Sequence, residues 1–224
     1  MPEQRKRKID LKFVSLVKEK YSLFPKNEME ISIENIQNWL LQSRAKGESL
    51  KDILTFTART IYRIFEFKEI AIGLRSEKDN LYRYEIMLGF TKEVENQLRK
   101  LSYTLEDLVS YEKFPGIRLS SITDFCIAED ITDQEGEELT YNRPLALLEE
   151  RKALDDFIEG DYLDISFFDR KLQLLGWLEL SNTKTGKLPS RESLKWLEMF
   201  ATIIGIIVER ERLSGQLLRE KLKH

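Results

Sequence analysis

Two residue types that carry much of enzyme chemistry are almost missing from this chain. Its 224 residues include one histidine, His224 at the last position, and one cysteine, Cys126. Without an internal histidine, there is no Ser-His or Cys-His nucleophile pair, no histidine haem ligand and no histidine metal cluster. A single cysteine also excludes a thiolate zinc site and an intrachain disulfide. We therefore expect a protein that is not an enzyme.

The acidic residues and loops do not complete a metal or phosphate motif. Acids near Gly136 have the spacing of a calcium loop, but Ile131 stands at the first ligand position and Asn142 at the last. The adjacent acids Asp155-Asp156 would diverge by about 100° on a helix and could not converge on one substrate. The segment Thr185-Gly186-Lys187 lacks the upstream glycine and the following hydroxyl of a phosphate loop. These patterns predict neither catalysis nor metal binding.

The overall composition is that of a globular chain with a slight negative charge. Lys and Arg number 36 and Asp and Glu number 39, so the formal net charge is −3. This balance does not favour nucleic acid as a partner. No run of about 18 apolar residues could cross a membrane, and no secretory signal follows the charged N-terminus. Because one cysteine suits a reducing compartment, we expect a cytoplasmic protein.

Helical periodicity dominates the first third of the chain. Apolar spacing predicts helices over Ile9–Phe24 and Ser32–Arg44, which would make residues 1–46 an N-terminal helical extension. A third helix is predicted over Ser49–Phe67, where Ser49 is suited to cap the N-terminus and Asp52 lies in the first turn.

Two strand pairs are separated by a variable, acidic middle. The predicted strands are Glu69–Arg75, Leu81–Phe90, Tyr162–Phe168 and Leu172–Leu180. In the second strand we expect one face to carry Tyr82, Tyr84, Ile86, Leu88 and Phe90. In the middle, a short strand is predicted at Ile127–Ile131 and a helix over Arg143–Glu159. A long loop-rich insert of this kind is suited to cover a ligand. Ser190 then caps a long amphipathic helix.

The C-terminal block carries a family resemblance. The strand Leu174–Leu180, the loop through Pro189 and the helix Leu194–Arg210 resemble the last strand, polar loop and closing helix of GAF domains. The resemblance covers residues 47–212 and leaves 213–224 as a C-terminal helical tail. It implies an α+β, GAF/PAS-like fold, in which a central antiparallel sheet has the N- and C-terminal helices on one face. A pocket covered by loops and helices would lie on the other face.

The resemblance leaves the ligand open. Cyclic-nucleotide-binding members carry an Asn-Lys pair, whereas here Thr183 follows Asn182 and Lys184 comes one place late. Bilin-binding members attach their pigment through cysteine, but Cys126 has no histidine beside it. Methionine sulfoxide reductases with this fold need several cysteines. The cofactor is therefore unknown, with no haem, bilin, zinc or calcium signature.

Apolar and aromatic residues of the middle and of the sheet beneath it are the candidate pocket residues. The predicted ligand-binding residues are Tyr84, Phe114, Cys126, Phe157 and Trp177. Trp177 has the opposite strand parity from Leu178 and Leu180, so it either forms the pocket wall or contacts a helix. The sequence leaves both alternatives open.

The functional expectation is a stand-alone, non-catalytic signalling domain. It would sense an unidentified small molecule or bind a protein partner, and it would form a homodimer through its terminal helices. One alternative is a structural scaffold whose pocket is collapsed, and ligand-dependent stabilisation would distinguish the two. Another is a DNA-associated regulator that uses the basic segment Arg5–Lys8, which predicts binding that weakens with salt.

Overall fold

The computed structural model describes residues 10–20, 49–130 and 137–221. These residues form five α-helices: α1 (Leu11–Lys20), α2 (Leu50–Ile64), α3 (Lys92–Leu98), α4 (Leu105–Leu108) and α5 (Arg191–Lys221). They also form six strands: β1 (Phe67–Arg75), β2 (Tyr82–Leu88), β3 (Ile117–Arg118), β4 (Thr123–Cys126), β5 (Tyr162–Phe168) and β6 (Leu174–Thr183). The predicted helix Ser32–Arg44 and the basic segment Arg5–Lys8 lie outside the described residues.

The six strands form one antiparallel sheet in the order β2-β1-β6-β5-β4-β3. The two predicted hairpins supply its four long strands, since β1 pairs with β2 and β5 pairs with β6. The hairpins join along β1 and β6 at the centre of the sheet. The predicted α+β class with a central antiparallel sheet is confirmed.

Helices α1, α2 and α5 share one buried apolar cluster with the sheet. Phe13 of α1, Ile61 of α2 and Leu197 of α5 belong to the same core as Ile70 and Leu178 of the central strands. We call this side of the sheet the helix face and the opposite side the cavity face. The predicted packing of the terminal helices against one face is therefore confirmed.

Capping residues begin the two long helices of the helix face. The Ser49 hydroxyl accepts a hydrogen bond from the Asp52 backbone N–H at 3.3 Å, and the Asp52 carboxylate accepts one from the Ser49 N–H at 3.3 Å. This reciprocal pair is a capping box, which occupies backbone donors that the first helical turn leaves unpaired. Ser190 caps α5 in the simpler way, accepting from the Ser193 N–H at 3.0 Å. Both predicted helix starts are confirmed.

The apolar stripe predicted for one face of β2 is divided between the two faces. Tyr84 packs on the cavity face, whereas Ile86 belongs to the helix-face core. Ile72 of β1 pairs with Ile86, but the next residue, Gly73, pairs with Tyr84. Glu85 is therefore an extra residue, a β-bulge, and one extra residue reverses the alternation of side chains. The single-face prediction is wrong because strand parity cannot reveal a bulge.

The acidic middle differs from two predictions. The short strand lies at Thr123–Cys126, and Ala128–Asp130 within the predicted strand forms a 3-10 turn. The predicted helix over residues 143–159 is also wrong, because only Pro144–Leu148 winds, as a 3-10 helix. After it, the Asp156 carboxylate accepts backbone N–H groups of residues 152 and 153 at 3.1 and 2.7 Å. Such side-chain bonds compete with helical hydrogen bonds and hold the segment irregular.

Candidate functional site

The cavity face carries polar residues in rows that cross the sheet. Residues at matched positions of paired strands stand side by side. One row consists of Cys126, Tyr162, Ser181 and Glu69. The second row consists of Asp124, Asp164 and Glu179. The third consists of Ser166, Trp177, Gly73 and Tyr84. Of these rows, Glu69, Tyr84, Tyr162, Glu179 and Ser181 line a cavity, so its floor mixes aromatic rings with carboxylates.

Segments outside the sheet close a cavity above this floor. The end of α3 and the segments 110–115, 140–141 and 159–161 complete the walls. The enclosed volume is about 350 Å³. Ligand pockets range from about 300 to 1,000 Å³, so this cavity is large enough for a small molecule.

Aromatic rings form one wall of the cavity. The Trp177 indole lies directly over Gly73, where an added Cβ would come within 2.1 Å of the ring. Tyr84 and Tyr103 meet this indole edge to face, with centroid distances of 5.1 and 6.0 Å. Phe114 packs against Tyr103 with 5.7 Å between the two ring centroids. Glycine at position 73 therefore lets the indole lie flat against the strand and support the rings that line the cavity.

Glu69 is a buried carboxylate at the end of the first row. It accepts hydrogen bonds from Asn142 Nδ2 at 2.6 Å, from Asn182 Nδ2 at 2.7 Å and from the Ser181 hydroxyl at 2.9 Å. Burial raises the pKa of Glu69, and these hydrogen bonds offset part of that effect. Neutral donors thus hold the side chain at the cavity wall.

Glu179 and Asp164 stand opposite each other on β6 and β5. The Tyr84 hydroxyl donates to Glu179 Oε2 at 2.6 Å. Burial raises the pKa of Glu179. Burial also raises the pKa of Asp164 well above its usual value, and the charges of Glu179 and Asp124 add to this effect. Asp164 Oδ1 is buried and accepts no hydrogen bond from the described residues. This pair is the electrostatically least satisfied part of the floor.

Two other carboxylates of the cavity wall are neutralised by arginines. Arg143 forms a salt bridge with Glu159 at 2.7 Å, and Arg151 forms one with Asp161 at 2.8 Å. The Arg151 guanidinium also lies 3.6 Å from the ring centroid of Phe13 in α1. A contact chain therefore connects the cavity wall to the N-terminal helix.

The structure brings three of the five predicted site residues together. Tyr84 and Phe114 line the cavity, and Trp177 lies beneath them on the cavity face, outside the lining and in one apolar cluster with Val94 and Leu98 of α3. Cys126 is buried in the floor, where burial raises the pKa of its thiol well above the usual value. Phe157 lies away from the cavity, in the helix-face core.

Sequence reasoning missed the carboxylates Glu69, Asp164 and Glu179. Each is an acid within a strand that is otherwise mostly apolar, and that contrast was the available signal. Their meeting depends on the pairing of β5 and β1 with β6, which a linear pattern does not specify.

No protein-family model and no curated protein matches the sequence, but solved structures match the fold. One is the GAF domain of a phosphoenolpyruvate-protein phosphotransferase from Coxiella burnetii, with a TM-score of 0.54, 14% identity and coverage of 85% of this chain and 99% of that chain. The corresponding Acinetobacter GAF domain has a TM-score of 0.50 and 14% identity, and the match covers 83% of this chain and 98% of that chain. The chromophore-binding domain of a bacteriophytochrome from R. palustris has a TM-score of 0.52 and 12% identity, and the match covers 86% of this chain and 64% of that chain.

The chain has the fold of a GAF domain. The predicted resemblance is thereby confirmed at the level of architecture, from the paired hairpins to the closing helix α5. Among the described residues, no helix is both long and apolar enough to cross a membrane. Within the same residues, no group of three or more His, Cys, Asp or Glu side chains could hold a metal ion.

Proposed function

We propose that this chain is a non-catalytic regulatory domain that binds a small molecule in the cavity. The observation that carries the proposal is the enclosed space above a floor of buried carboxylates and aromatic rings. Burying a polar group without full compensation destabilises a fold, so a collapsed scaffold would gain nothing from these carboxylates. One matching structure is named a chromophore-binding domain, and another is named as the GAF domain of a putative sensor histidine kinase from Pseudomonas syringae.

The cavity wall offers a route by which binding would reach the terminal helices. A ligand that touches segment 159–161 would alter Asp161, which holds Arg151, and Arg151 stacks on Phe13 of α1. Allosteric coupling requires that ligand binding change such contacts. We propose that α1 and α5 pass the signal to a partner protein.

Native mass spectrometry of freshly purified protein, compared with its denatured mass, tests the proposal. We expect a reproducible extra mass on the native protein. A ligand at about 100 times its dissociation constant should also add about 2.7 kcal/mol to the free energy of unfolding. A clean native mass, together with no thermal shift across neutral, anionic and cationic metabolites, would support the collapsed scaffold instead.

A pair of matched variants links binding to this cavity. Leu101 lines the cavity, whereas Leu105 on α4 is exposed and lies outside the lining. Leu101→Trp should fill part of the cavity and remove the extra mass, and Leu105→Trp should leave it. Loss of the bound mass in both variants, or in neither, would place the ligand elsewhere.

We also propose that the chain forms a homodimer through α5. Met199, Ile206 and Leu213 are seven residues apart and expose 44%, 60% and 37% of their surface. Side chains at this spacing lie along one helix face, as in a two-helix interface. Ile206→Glu should convert a dimer to a monomer in sedimentation, whereas Val109→Glu, at a residue exposed by 62%, should not. A wild-type monomer at high concentration would refute the proposal.

The cytoplasm is the compartment that we propose for this function. Cys126 is a free, buried thiol. A reducing compartment keeps such a thiol unmodified. Cell fractionation with compartment markers would test this assignment.

A further inference from the structure

We propose that the cavity takes an organic cation of the alkylammonium class, held by the lining carboxylates Glu69 and Glu179. The inference rests on the proposed function, because it specifies the chemical class of the ligand for the same cavity. It follows from three observations on the cavity face: carboxylates without basic partners, a buried oxygen without a donor, and a wall of aromatic rings.

The carboxylates of the cavity differ in how the protein satisfies them. Glu159 and Asp161 each have an arginine at salt-bridge distance. Glu69 and Glu179 contact only neutral donors among the described residues, namely amides, hydroxyls and the Trp177 indole. The described residues therefore supply a cation for the cavity carboxylates Glu159 and Asp161 and supply none for Glu69 on β1 and Glu179 on β6.

Asp164 lies beside Glu179 but outside the cavity lining, and it adds to the uncompensated negative charge there. It pairs directly with Glu179 across β5 and β6, and like charges at such positions repel. Its Oδ1 is buried without a hydrogen-bond donor in the described part of the chain. Glu69 pairs with Ser181, which lies two residues after Glu179 on β6. The Glu69 residue is only 6% exposed. An ammonium group provides three donors and a positive charge, which would compensate this group of carboxylates.

The aromatic wall suits the same ligand. Tyr103 and Phe114 already have one ammonium group nearby, because Lys113 Nζ lies 5.9 and 5.8 Å from their ring centroids. Aromatic faces attract cations at about 6 Å or less. The alkyl part of an amine would pack against these rings and against Tyr84, while its charged end reaches the carboxylates.

An anionic ligand fits the cavity poorly. Of the described lining residues, Lys113 is the single basic side chain, and it forms a salt bridge with Asp107 at 2.9 Å. An anion would therefore meet Glu69 and Glu179 with no free positive charge in the lining to offset the repulsion. The balance of charge in the wall favours a cation.

The test compares, on the full chain, small probes of different charge: three with four carbons, and one in which a four-carbon chain also carries a guanidinium group. The cations are 1,4-diaminobutane and agmatine, the neutral probe is 1,4-butanediol, and the anion is succinate, all at equal ionic strength. Isothermal titration and thermal unfolding report binding. We expect the cations to bind and stabilise, and the diol and succinate to do neither.

Isosteric amide variants then locate the charge that matters. Glu179→Gln and Glu69→Gln keep the side-chain shape and remove the negative charge of the two lining carboxylates. Each should weaken diamine binding about tenfold or more, which corresponds to about 1.4 kcal/mol or more. Glu150→Gln makes the same change in net charge at an exposed residue outside the cavity lining. That control should change the affinity less than about threefold, since exposed pairs contribute little.

The outcomes separate this inference from the proposed function. Binding of succinate or butanediol in preference to both cations would overturn the cationic ligand and leave the proposed function intact. Diamine binding that neither amide variant weakens would also overturn it. If no probe of any charge binds and the native protein carries no extra mass, the inference and the proposed function fail together.

Discussion

Strand β5 shows two different surfaces within seven residues. On the helix face, Leu163, Ile165 and Phe167 are at most 1% exposed and belong to one continuous apolar core. On the cavity face, the alternate residues are Tyr162, Asp164 and Ser166. The same contrast continues on β6, where Leu178 and Leu180 alternate with Trp177, Glu179 and Ser181.

The contrast separates the source of stability from the site of binding. Interdigitated side chains on the helix face bury hydrocarbon at native packing density and stabilise the sheet. The cavity face instead holds carboxylates whose burial opposes folding, as the raised pKa values of Glu69, Asp164 and Glu179 indicate. A well-packed face thus allows the other face of the same strands to keep groups suited to a ligand.

The largest effect is expected from truncation on the helix face. Leu178→Ala removes a fully buried side chain and leaves a cavity in the core. We expect the free energy of unfolding to fall by about 2–5 kcal/mol in urea titrations. Leu145→Ala, at a residue that is 83% exposed, is the control and should change it by less than about 0.5 kcal/mol. Equal effects of the two variants would contradict the division between faces.

A smaller loss is expected where the cavity face is tightly packed. In Gly73→Ala the new methyl group would lie 2.1 Å from the Trp177 ring, so the indole must shift. Overpacking of this kind costs about 1–3 kcal/mol. Thermal unfolding measures the cost, and near-ultraviolet circular dichroism should report the displaced ring. An unchanged spectrum and stability would show that the indole does not lie against this strand. Gly215→Ala, where an added Cβ meets nothing within 4 Å, is the matched control.

Local signals in the sequence predict most of the helix face. The Ser49–Asp52 spacing indicates the capping box of α2, and alternation identifies the long strands. The acidic middle was less predictable. Asp155 and Asp156 sit in a helix-like pattern, yet both accept hydrogen bonds from Lys187, about thirty residues away, at 2.8 and 2.7 Å. Such distant partners override local periodicity.

The cavity was predictable in position but not in chemistry. The covered face, Tyr84 and Phe114 follow from the fold resemblance and from aromatic residue types. The carboxylate group does not, because Asp164 and Glu179 meet only through the β5–β6 register. The bulge at Glu85 was equally hidden, since β2 contains no glycine or turn residue and Gly73, at the register shift, lies on the paired strand β1.

An intermediate effect of opposite sign is expected at Glu179. Its pKa in the folded state lies above the ordinary value of 4.5 because of burial. The folded state therefore favours the protonated form, and stability is lost as pH rises from 4.5 through the raised pKa. Glu179→Gln retains a partner for the Tyr84 hydroxyl and carries no charge. At about pH 8 it should be about 1 kcal/mol more stable than the wild type.

The difference between the two proteins over pH reports Glu179 together with its coupling to its neighbours. Asp164, Glu69 and Tyr84 face Glu179 from the neighbouring strands, and the Glu179 charge contributes to the raised pKa of Asp164, so the variant also relieves that repulsion. The stability gain of Glu179→Gln should shrink as pH falls towards 4.5. A variant that is less stable than the wild type at every pH would show that the charged carboxylate stabilises the fold.

The smallest effect is expected at Asp107, beside the cavity. Its carboxylate accepts the Thr104 backbone N–H at 2.8 Å and pairs with Lys113 at 2.9 Å, which lowers its pKa to about 2. Because Asp107 lies at the surface, Asp107→Asn should cost less than about 1 kcal/mol. That contribution is present above pH 3.8 and is lost as pH falls towards 2.

The local consequence of Asp107→Asn should exceed the global one. Without its capping carboxylate and ion pair, α4 and the Lys113 segment would open more often, although the helix-face core stays closed. Hydrogen exchange should therefore accelerate in residues 105–114 and remain unchanged in α2 and β5. Exchange that accelerates equally in all these segments would mean that the cavity cover and the core unfold as one unit. The two faces of the sheet would then unfold together, with the same free energy of opening.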